Sequence, residues 1–130
     1  MRFINDEHEK FYKDNIVKCN LIDSNQRALL YTLGLTEVCR ERISELYDFE
    51  KNDIRPYGME YEGFSENDRR VIRLAFNLFS GKLPSVDIIG QEKGAEAAVE
   101  EAKLYSPGEI FSCISLVDYF VEALKLRFEW

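Results

Sequence analysis

The sequence predicts a mainly α protein: a compact single-domain bundle of about five to six helices, with long central and C-terminal helices and two irregular loops. Three observations support this fold class. The chain has 130 residues, a length typical of one domain. Apolar side chains recur at intervals of three and four, which is the period of a helix with one buried face. Residue types suited to helix caps stand at the ends of several of these runs.

The composition is that of a globular chain with an acidic balance. Hydrophobic residues make up 45% and aromatic residues 13%, whereas disordered acidic chains are poor in aromatics. There are 24 acidic and 17 basic side chains, a net charge of −7. Phosphates would be repelled, so we expect no direct binding of nucleic acid through general attraction. The acidity either keeps the domain soluble or attracts a basic protein surface, including the nucleic-acid groove of another protein.

Several features predict a cytoplasmic protein. Cys19, Cys39 and Cys113 are odd in number, far apart in the chain and without a CxxC pair, as expected for free thiols in a reducing compartment. The first residues turn acidic without an apolar core, so we expect no signal peptide. No run approaches the ~18 apolar residues of a membrane span.

The first half of the chain predicts three helices. Asn5 is suited to cap a helix at about 6–18. Ser24 is suited to cap a second helix, and Gly34 to end it. Thr36 can cap a third helix after a sharp turn. That helix would carry one apolar stripe: Cys39, Ile43, Leu46 and Tyr47.

The middle of the chain predicts an ordered loop followed by the central helix. Prolines and glycines interrupt the helical pattern over residues 48–64, which predicts a loop. The segment is also rich in aromatic side chains, so we expect this loop to be ordered and to pack against the rest of the protein. Ser65 and Asp68 form a variant of the capping box. The helix that follows is apolar on most sides and ends at Ser80-Gly81, which predicts a buried position.

The last third predicts an irregular stretch and then two helices. Residues 82–94 contain Pro84, Gly90 and Gly94 and are expected to be irregular, with 86–89 as a short strand that lacks a partner. Residues 95–105 are expected to be helical. A capping motif at 106–109 then starts a long helix that runs to about 128. We expect its apolar stripe to lie in the core: Ile110, Ile114, Val117, Val121, Leu124 and Phe128.

Motifs of known chemistry are missing from the sequence. It has no phosphate-binding loop, no dinucleotide fingerprint and no nucleophile elbow. His8 is the only histidine, and no metal-ligand spacing occurs. We therefore expect no bound metal and no cofactor, and we assign a catalytic role to no residue. His8 either pairs with a cysteine as an activated thiolate or lies at a helix interface; the second is favoured because free cysteines are usually buried and inert.

One cluster of basic side chains is a local exception to the negative net charge of the chain. Arg69, Arg70 and Arg73 fall in the first turns of the central helix, and Arg69 and Arg73 share a face. Like charges at this spacing repel each other, so we expect a negatively charged group to lie close to them. It is either an internal carboxylate or an anionic ligand such as phosphate or a nucleotide, and the internal ion pair is favoured.

Parts of the chain resemble a known family. The segments are the opening 3–8, the central 73–79, and 106–113, 118–120 and 123–128 near the end. Together they are similar to an uncharacterised family of short acidic bacterial proteins, a domain of unknown function found in Gram-positive genomes and their mobile elements. The resemblance implies a cytoplasmic, element-borne setting and brings no established activity.

We therefore expect a non-enzymatic protein-binding module, an inhibitor of a host defence factor if the mobile-element setting holds. Its partner would have a basic surface, and the candidate contact residues are acidic: Glu92, Glu96, Glu100, Glu101, Asp6, Glu7, Glu9 and Asp14. Two alternatives stay open, a phosphate or nucleotide binder using the arginine cluster and a hydrolase with an unrecognised carboxylate site. A homodimer fits any of these functions, because the apolar side chains at the C-terminus need cover: Leu126, Phe128 and Trp130.

Overall fold

A computed structural model describes residues 1–19 and 22–130. Over these residues it contains nine α-helices, one two-stranded hairpin and two 3-10 helices. The first half holds α1 Asp6–Ile16, α2 Ser24–Leu33, α3 Glu37–Glu41, α4 Ile43–Leu46, β1 Tyr47–Asp48, β2 Asp53–Ile54 and a 3-10 helix Pro56–Glu60. The second half holds α5 Glu66–Ser80, α6 Pro84–Lys93, α7 Ala95–Lys103, α8 Pro107–Ile110, a 3-10 helix Ile114–Leu116 and α9 Val117–Phe128. The predicted mainly α fold is confirmed.

The core is built around two central helices, α2 and α5. Helix α2 packs against α5 on one side and α9 on another, and α1 also contacts it. The prediction that the helix after Ser65 is central is confirmed, because it contributes Val71, Ile72, Ala75 and Phe76 without exposed surface. Burial of such a cluster of aliphatic and aromatic side chains is the main force that holds the bundle together.

Most predicted helix caps are present. Asn5 accepts a hydrogen bond from the backbone N–H of His8 at 2.8 Å, and Ser65 and Asp68 form a reciprocal capping box. Gly81 ends α5 with φ +70°, the left-handed conformation that favours glycine. The predicted cap of α2 was wrong, because Asp23 is the cap and Ser24 is already the first helical residue.

The third predicted helix is also wrong in its length. It breaks at Arg42, whose φ of −108° and ψ of 23° leave the helical region, so that α3 and α4 are separate turns. The Arg42 guanidinium lies 3.4 Å from the centre of the Tyr61 ring, a cation–π contact with the loop that follows. Tyr47 then belongs to the hairpin, where it pairs with Ile54. The aromatic loop at 48–64 is therefore anchored to α3 and α4.

The irregular stretch predicted at 82–94 is wrong, and so is the short strand at 86–89. Helix α6 covers these residues and has Pro84 in its first turn, where a missing N–H costs nothing. Gly90 acts here as a contact residue, since a Cβ at this position would lie 3.3 Å from Cβ of Ala98 on α7. Its small size allows α6 and α7 to pack closely. Gly94, with φ +93°, supplies the turn between them.

The single long helix predicted from 107 to 128 is wrong as well. The chain turns at 111–116, between α8 and α9, and this turn buries Ile110, Cys113 and Leu116 together. The Ser112 hydroxyl donates to the Glu109 carbonyl at 2.6 Å, a local bond that competes with helix continuation. Burial of these three side chains therefore outweighs the uninterrupted helix that the spacing predicts.

As a result, α9 and the turn before it carry two apolar stripes. The inner stripe, which faces the body, consists of Leu116, Phe120 and Ala123, and all three are buried. The outer stripe consists of Ile114, Val117, Val121, Leu124 and Phe128. The prediction that these outer residues lie in the core is wrong for three of them, since Ile114 is 87% exposed, Phe128 50% and Val121 38%. Val117 is half-buried, and Leu124 is half-buried against the core.

The α6–α7 hairpin, residues 84–103, lies at the edge of the core. Its two helices pack mainly against each other, and α6 also contacts α5 and the first 3-10 helix. Ser85 is its only buried residue among those that the structure describes. The other buried residues of the described ranges lie outside the hairpin, so the hairpin contributes little to the core. Within the described ranges, no helix is both long enough and apolar enough to cross a membrane.

Candidate functional site

The three arginines of the basic cluster line one cleft. Arg69, Arg70 and Arg73 lie on the first half of α5, beside a cleft of about 270 Å³ whose other walls come from Glu66, Leu104 and Glu109. A second cleft of about 500 Å³ adjoins it under α6 and shares Arg69 and Arg73. The structure therefore brings the predicted ligand-binding residues together.

Arg73 forms an ion pair with a carboxylate of the same chain, that of Glu101. Its Nε donates to Oε2 of Glu101 at 2.9 Å and its Nη2 to Oε1 at 3.2 Å, a paired contact of guanidinium and carboxylate. The Arg73 side chain is 10% exposed and the Glu101 side chain 11%. The ion pair is therefore largely removed from water, and it joins α5 to α7.

The other two arginines make weaker contacts. Arg70 donates to the side-chain amide oxygen of Asn67 at 2.8 Å and lies 3.8 Å from a carboxylate oxygen of Glu66, which is itself largely exposed. Arg69 donates to the backbone carbonyls of Met59 at 2.7 Å and Tyr61 at 3.1 Å. Over the residues that the structure describes, no carboxylate lies within 4.0 Å of the Arg69 guanidinium. Arg69 is thus held in place by neutral acceptors.

Two further polar groups complete a network around the Arg73–Glu101 pair. The Ser85 hydroxyl donates to Oε2 of Glu101 at 2.6 Å. The Tyr105 hydroxyl lies 2.6 Å from the Ser85 oxygen, and it must be the donor because the single Ser85 proton is already used. Burial raises the pKa of Tyr105, so it remains a protonated phenol at neutral pH. The network tethers the α6–α7 hairpin to α5.

Sequence reasoning missed Ser85 and Tyr105 and placed Glu101 on an acidic surface. The structure instead turns the Glu101 carboxylate inward, away from the exposed acidic side chains. The available signal was the four-residue spacing of Glu101 and Tyr105, which places both on one face of the helix predicted at 95–105. The partner helix α6 was not predicted, so nothing indicated which face was inward.

The remaining acidic candidates are on the surface of two separate elements. Glu92, Glu96 and Glu100 are exposed on the α6–α7 hairpin, and Glu100 forms an ion pair with Lys103 at 3.1 Å. Four acidic side chains lie on α1, two of which form ion pairs with lysines one turn away: the exposed Asp6 and Glu7 together with the paired Glu9 and Asp14.

His8 is buried and does not form a pair with a cysteine. Its Nε2 donates to the Tyr31 carbonyl at 2.7 Å, and its Nδ1 accepts from the backbone N–H of Ile4 at 3.2 Å. Burial lowers the pKa of His8 to about 4, so it is neutral at pH 7. Burial likewise raises the pKa of the Cys39 thiol to about 12. His8 therefore lies at a helix interface, as the favoured hypothesis expected.

Metal-binding side chains do not converge in the part of the chain that the structure describes. No group of three or more histidine, cysteine, aspartate or glutamate side chains is placed there to hold an ion. The charged side chains of the two clefts instead include both signs, with arginines facing glutamates. Such an arrangement suits ion pairing and recognition of polar groups.

Comparison with known proteins gives a family without a known activity. A family model described as "Family of unknown function (DUF6075)" matches residues 1–130. No curated protein and no solved structure matches the chain. Along its whole length, therefore, this chain belongs to DUF6075, a family of unknown function.

Proposed function

We propose that this protein is a non-enzymatic protein-binding module that uses the acidic outer face of the α6–α7 hairpin. The observation that carries the proposal is the position of the hairpin outside the core. It spans 84–103, yet only Ser85 of its described residues is buried. An element that contributes little to the core and is tethered to the rest of the fold is well suited to carry a binding surface.

The charge of the hairpin supports a basic partner. Residues 84–103 contain five acidic and two basic side chains, and the four acidic side chains other than the inward Glu101 are exposed. Glu96 and Glu100 are exposed on the same face of α7, and Val99 between them is 55% exposed. An apolar side chain among carboxylates is common at protein interfaces, where charge steers the encounter and apolar contact adds affinity.

The partner class follows from this chemistry and from the family resemblance. A strongly basic protein surface is typical of a groove that binds nucleic acid. The resemblance to proteins of Gram-positive genomes and mobile elements favours a host defence factor as its owner. The proposed action is then inhibition, because an acidic hairpin seated in such a groove excludes nucleic acid.

Reversal of three charges tests the surface. We would immobilise wild-type protein and the variant Glu92→Lys/Glu96→Lys/Glu100→Lys and capture partners from a bacterial lysate. The matched control reverses three exposed acidic residues outside the hairpin, with the same change in net charge: Glu50→Lys, Glu62→Lys and Glu129→Lys. We expect a partner that wild type and control retain, that the hairpin variant loses and that salt elutes. Equal capture by all three proteins, or no partner at all, would refute the proposal.

A second function is favoured by one specific observation, the absence of a carboxylate near Arg69 among the described residues. In this alternative, Arg69 with Arg70 and Arg73 binds a phosphate or nucleotide in the adjoining clefts. Thermal-shift screening with inorganic phosphate and nucleotides tests it. Ligand at 100 times its dissociation constant should stabilise the protein by about 2.7 kcal/mol, and Arg69→Gln should remove the shift. A flat screen would exclude this function.

A further inference from the structure

The outer stripe of α9 is an apolar surface that the body covers only in part: Leu124 packs against the core and Val117 is half-buried. The inner stripe packs against α2 and α5, and the Arg127 side chain donates to the Leu78 carbonyl at 2.7 Å, which fixes the rotation of the helix. With this rotation Ile114, Val121 and Phe128 of the outer stripe face the solvent. Ile114 is 87% exposed, Phe128 50% and Val121 38%. Trp130, which stacks on Phe128 with 5.7 Å between ring centres, extends the surface and is 77% exposed.

The spacing of the outer stripe is that of a helix–helix seam. Its residues follow one another at intervals of three and four, the alternation by which one helix packs along another. We propose that this seam is filled by a second copy of the chain, with the two α9 helices antiparallel about a two-fold axis. This surface is distinct from the α6–α7 hairpin and does not depend on the function proposed for the hairpin.

The charges beside the seam select both the occupant and its direction. Asp118 and Lys125 are exposed and seven residues apart, so both lie on the same edge of the outer stripe. In an antiparallel pair, Asp118 of each copy faces Lys125 of the other, which makes two equivalent ion pairs. In a parallel pair, the edge that carries Asp118 and Lys125 would face the opposite edge of the second helix, so these two ion pairs would not form. The surface is thus complementary to itself in one orientation only.

The other charged groups around this edge leave the arrangement intact. Asp118 lies 3.5 Å from a guanidinium nitrogen of Arg2, in an exposed pair that is weak in water. No carboxylate of the described residues lies within 4.0 Å of Lys125, so its charge is available to a second copy. In the same register, Val121 packs against the second copy's Leu124, and Val117 against its Phe128.

The experiment measures the oligomeric state of the full chain. Sedimentation and light scattering from about 1 µM to about 200 µM should show a monomer–dimer equilibrium in wild-type protein. Val121→Asp should raise the dimer dissociation constant about 100-fold, because it places a charge in the apolar seam. The control Val17→Asp changes a valine just after α1 that is 75% exposed, and it should leave the dimer unchanged.

A charge swap tests the antiparallel direction. Asp118→Lys and Lys125→Asp should each weaken the dimer about tenfold, since each places like charges face to face, and the double variant should restore it. A wild-type monomer throughout the range, or a dimer that Val121→Asp leaves intact, would overturn the proposal. Failure of the double variant to recover would refute the antiparallel pairing. The substitutions in the hairpin variant do not alter the outer stripe. The lysate capture and the dimer measurement therefore test the two proposals separately.

Discussion

Removing the Arg73 charge should lower the free energy of unfolding of this protein substantially. Substitution Arg73→Met keeps most of the unbranched apolar stem of the side chain and deletes the guanidinium. Glu101 would then retain the Ser85 hydroxyl as its remaining donor within the described network. Because the Glu101 side chain is only 11% exposed, water can replace the lost partner only in part.

The magnitude follows from this burial. Breaking a buried ion pair by removing one partner costs about 3–5 kcal/mol, because the other charge is left uncompensated. For 130 residues, an unfolding entropy of about 2.1 cal/mol/K per residue converts this loss into a fall of roughly 11–18 °C in the melting temperature. The double variant Arg73→Met/Glu101→Met removes both charges and should recover most of the loss.

Urea unfolding of the two single variants, Arg73→Met and Glu101→Met, and of the double variant gives the coupling energy of the pair. A matched control is Lys103→Met, which breaks the exposed Lys103–Glu100 pair on α7, with side chains 66% and 73% exposed. That control should cost less than about 1 kcal/mol. If Arg73→Met costs no more than the control, or if the double variant is less stable than both single ones, the reasoning from burial is refuted.

Three further predictions concern stability. Burial lowers the pKa of His8 from 6.5 to about 4, so the native state favours the neutral imidazole. The contribution of His8 to the free energy of unfolding is therefore full above about pH 6.5 and falls by up to about 3 kcal/mol towards pH 4. Urea unfolding at pH 7 and pH 4.5 should show this loss in wild type and less of it in His8→Gln. Gly34→Ala should cost about 1–3 kcal/mol in thermal unfolding, since the new Cβ would lie 2.7 Å from Phe11 and 2.8 Å from His8; an unchanged melting temperature would contradict this. Ser65→Ala removes the cap of α5 and should cost about 1 kcal/mol, whereas the exposed Ser115→Ala should be neutral.

Local interactions were the most predictable part of the fold. The capping box of Ser65 and Asp68 and the left-handed Gly81 each depend on a few neighbouring residues, so their sequence pattern is sufficient evidence. Gly90 shows the opposite case. The residue type is the same as in a helix terminator, but its role is to admit Ala98 of another helix, and that contact is invisible before α6 and α7 are paired.

The candidate site divides in the same way. The spacing of Arg69 and Arg73 placed them on one face of α5, and in the structure both line the same cleft. Glu101, which neutralises Arg73, lies 28 residues further along the chain, and Ser85 lies in a helix that was not predicted. A partner so distant in sequence is fixed by the docking of the hairpin, which no local pattern describes.

By itself, the sequence determined the fold class, both ends of α5 and its central position, because helical periodicity and capping act within a few residues. Only the tertiary structure decided which of two apolar stripes on α9 enters the core. The inner and outer stripes are offset by one residue, about 100° around the helix, and both are apolar enough to be buried. The turn at 111–116, which buries Ile110 and Cys113, rotates α9 so that Phe120 faces inward and Val121 is left at the surface.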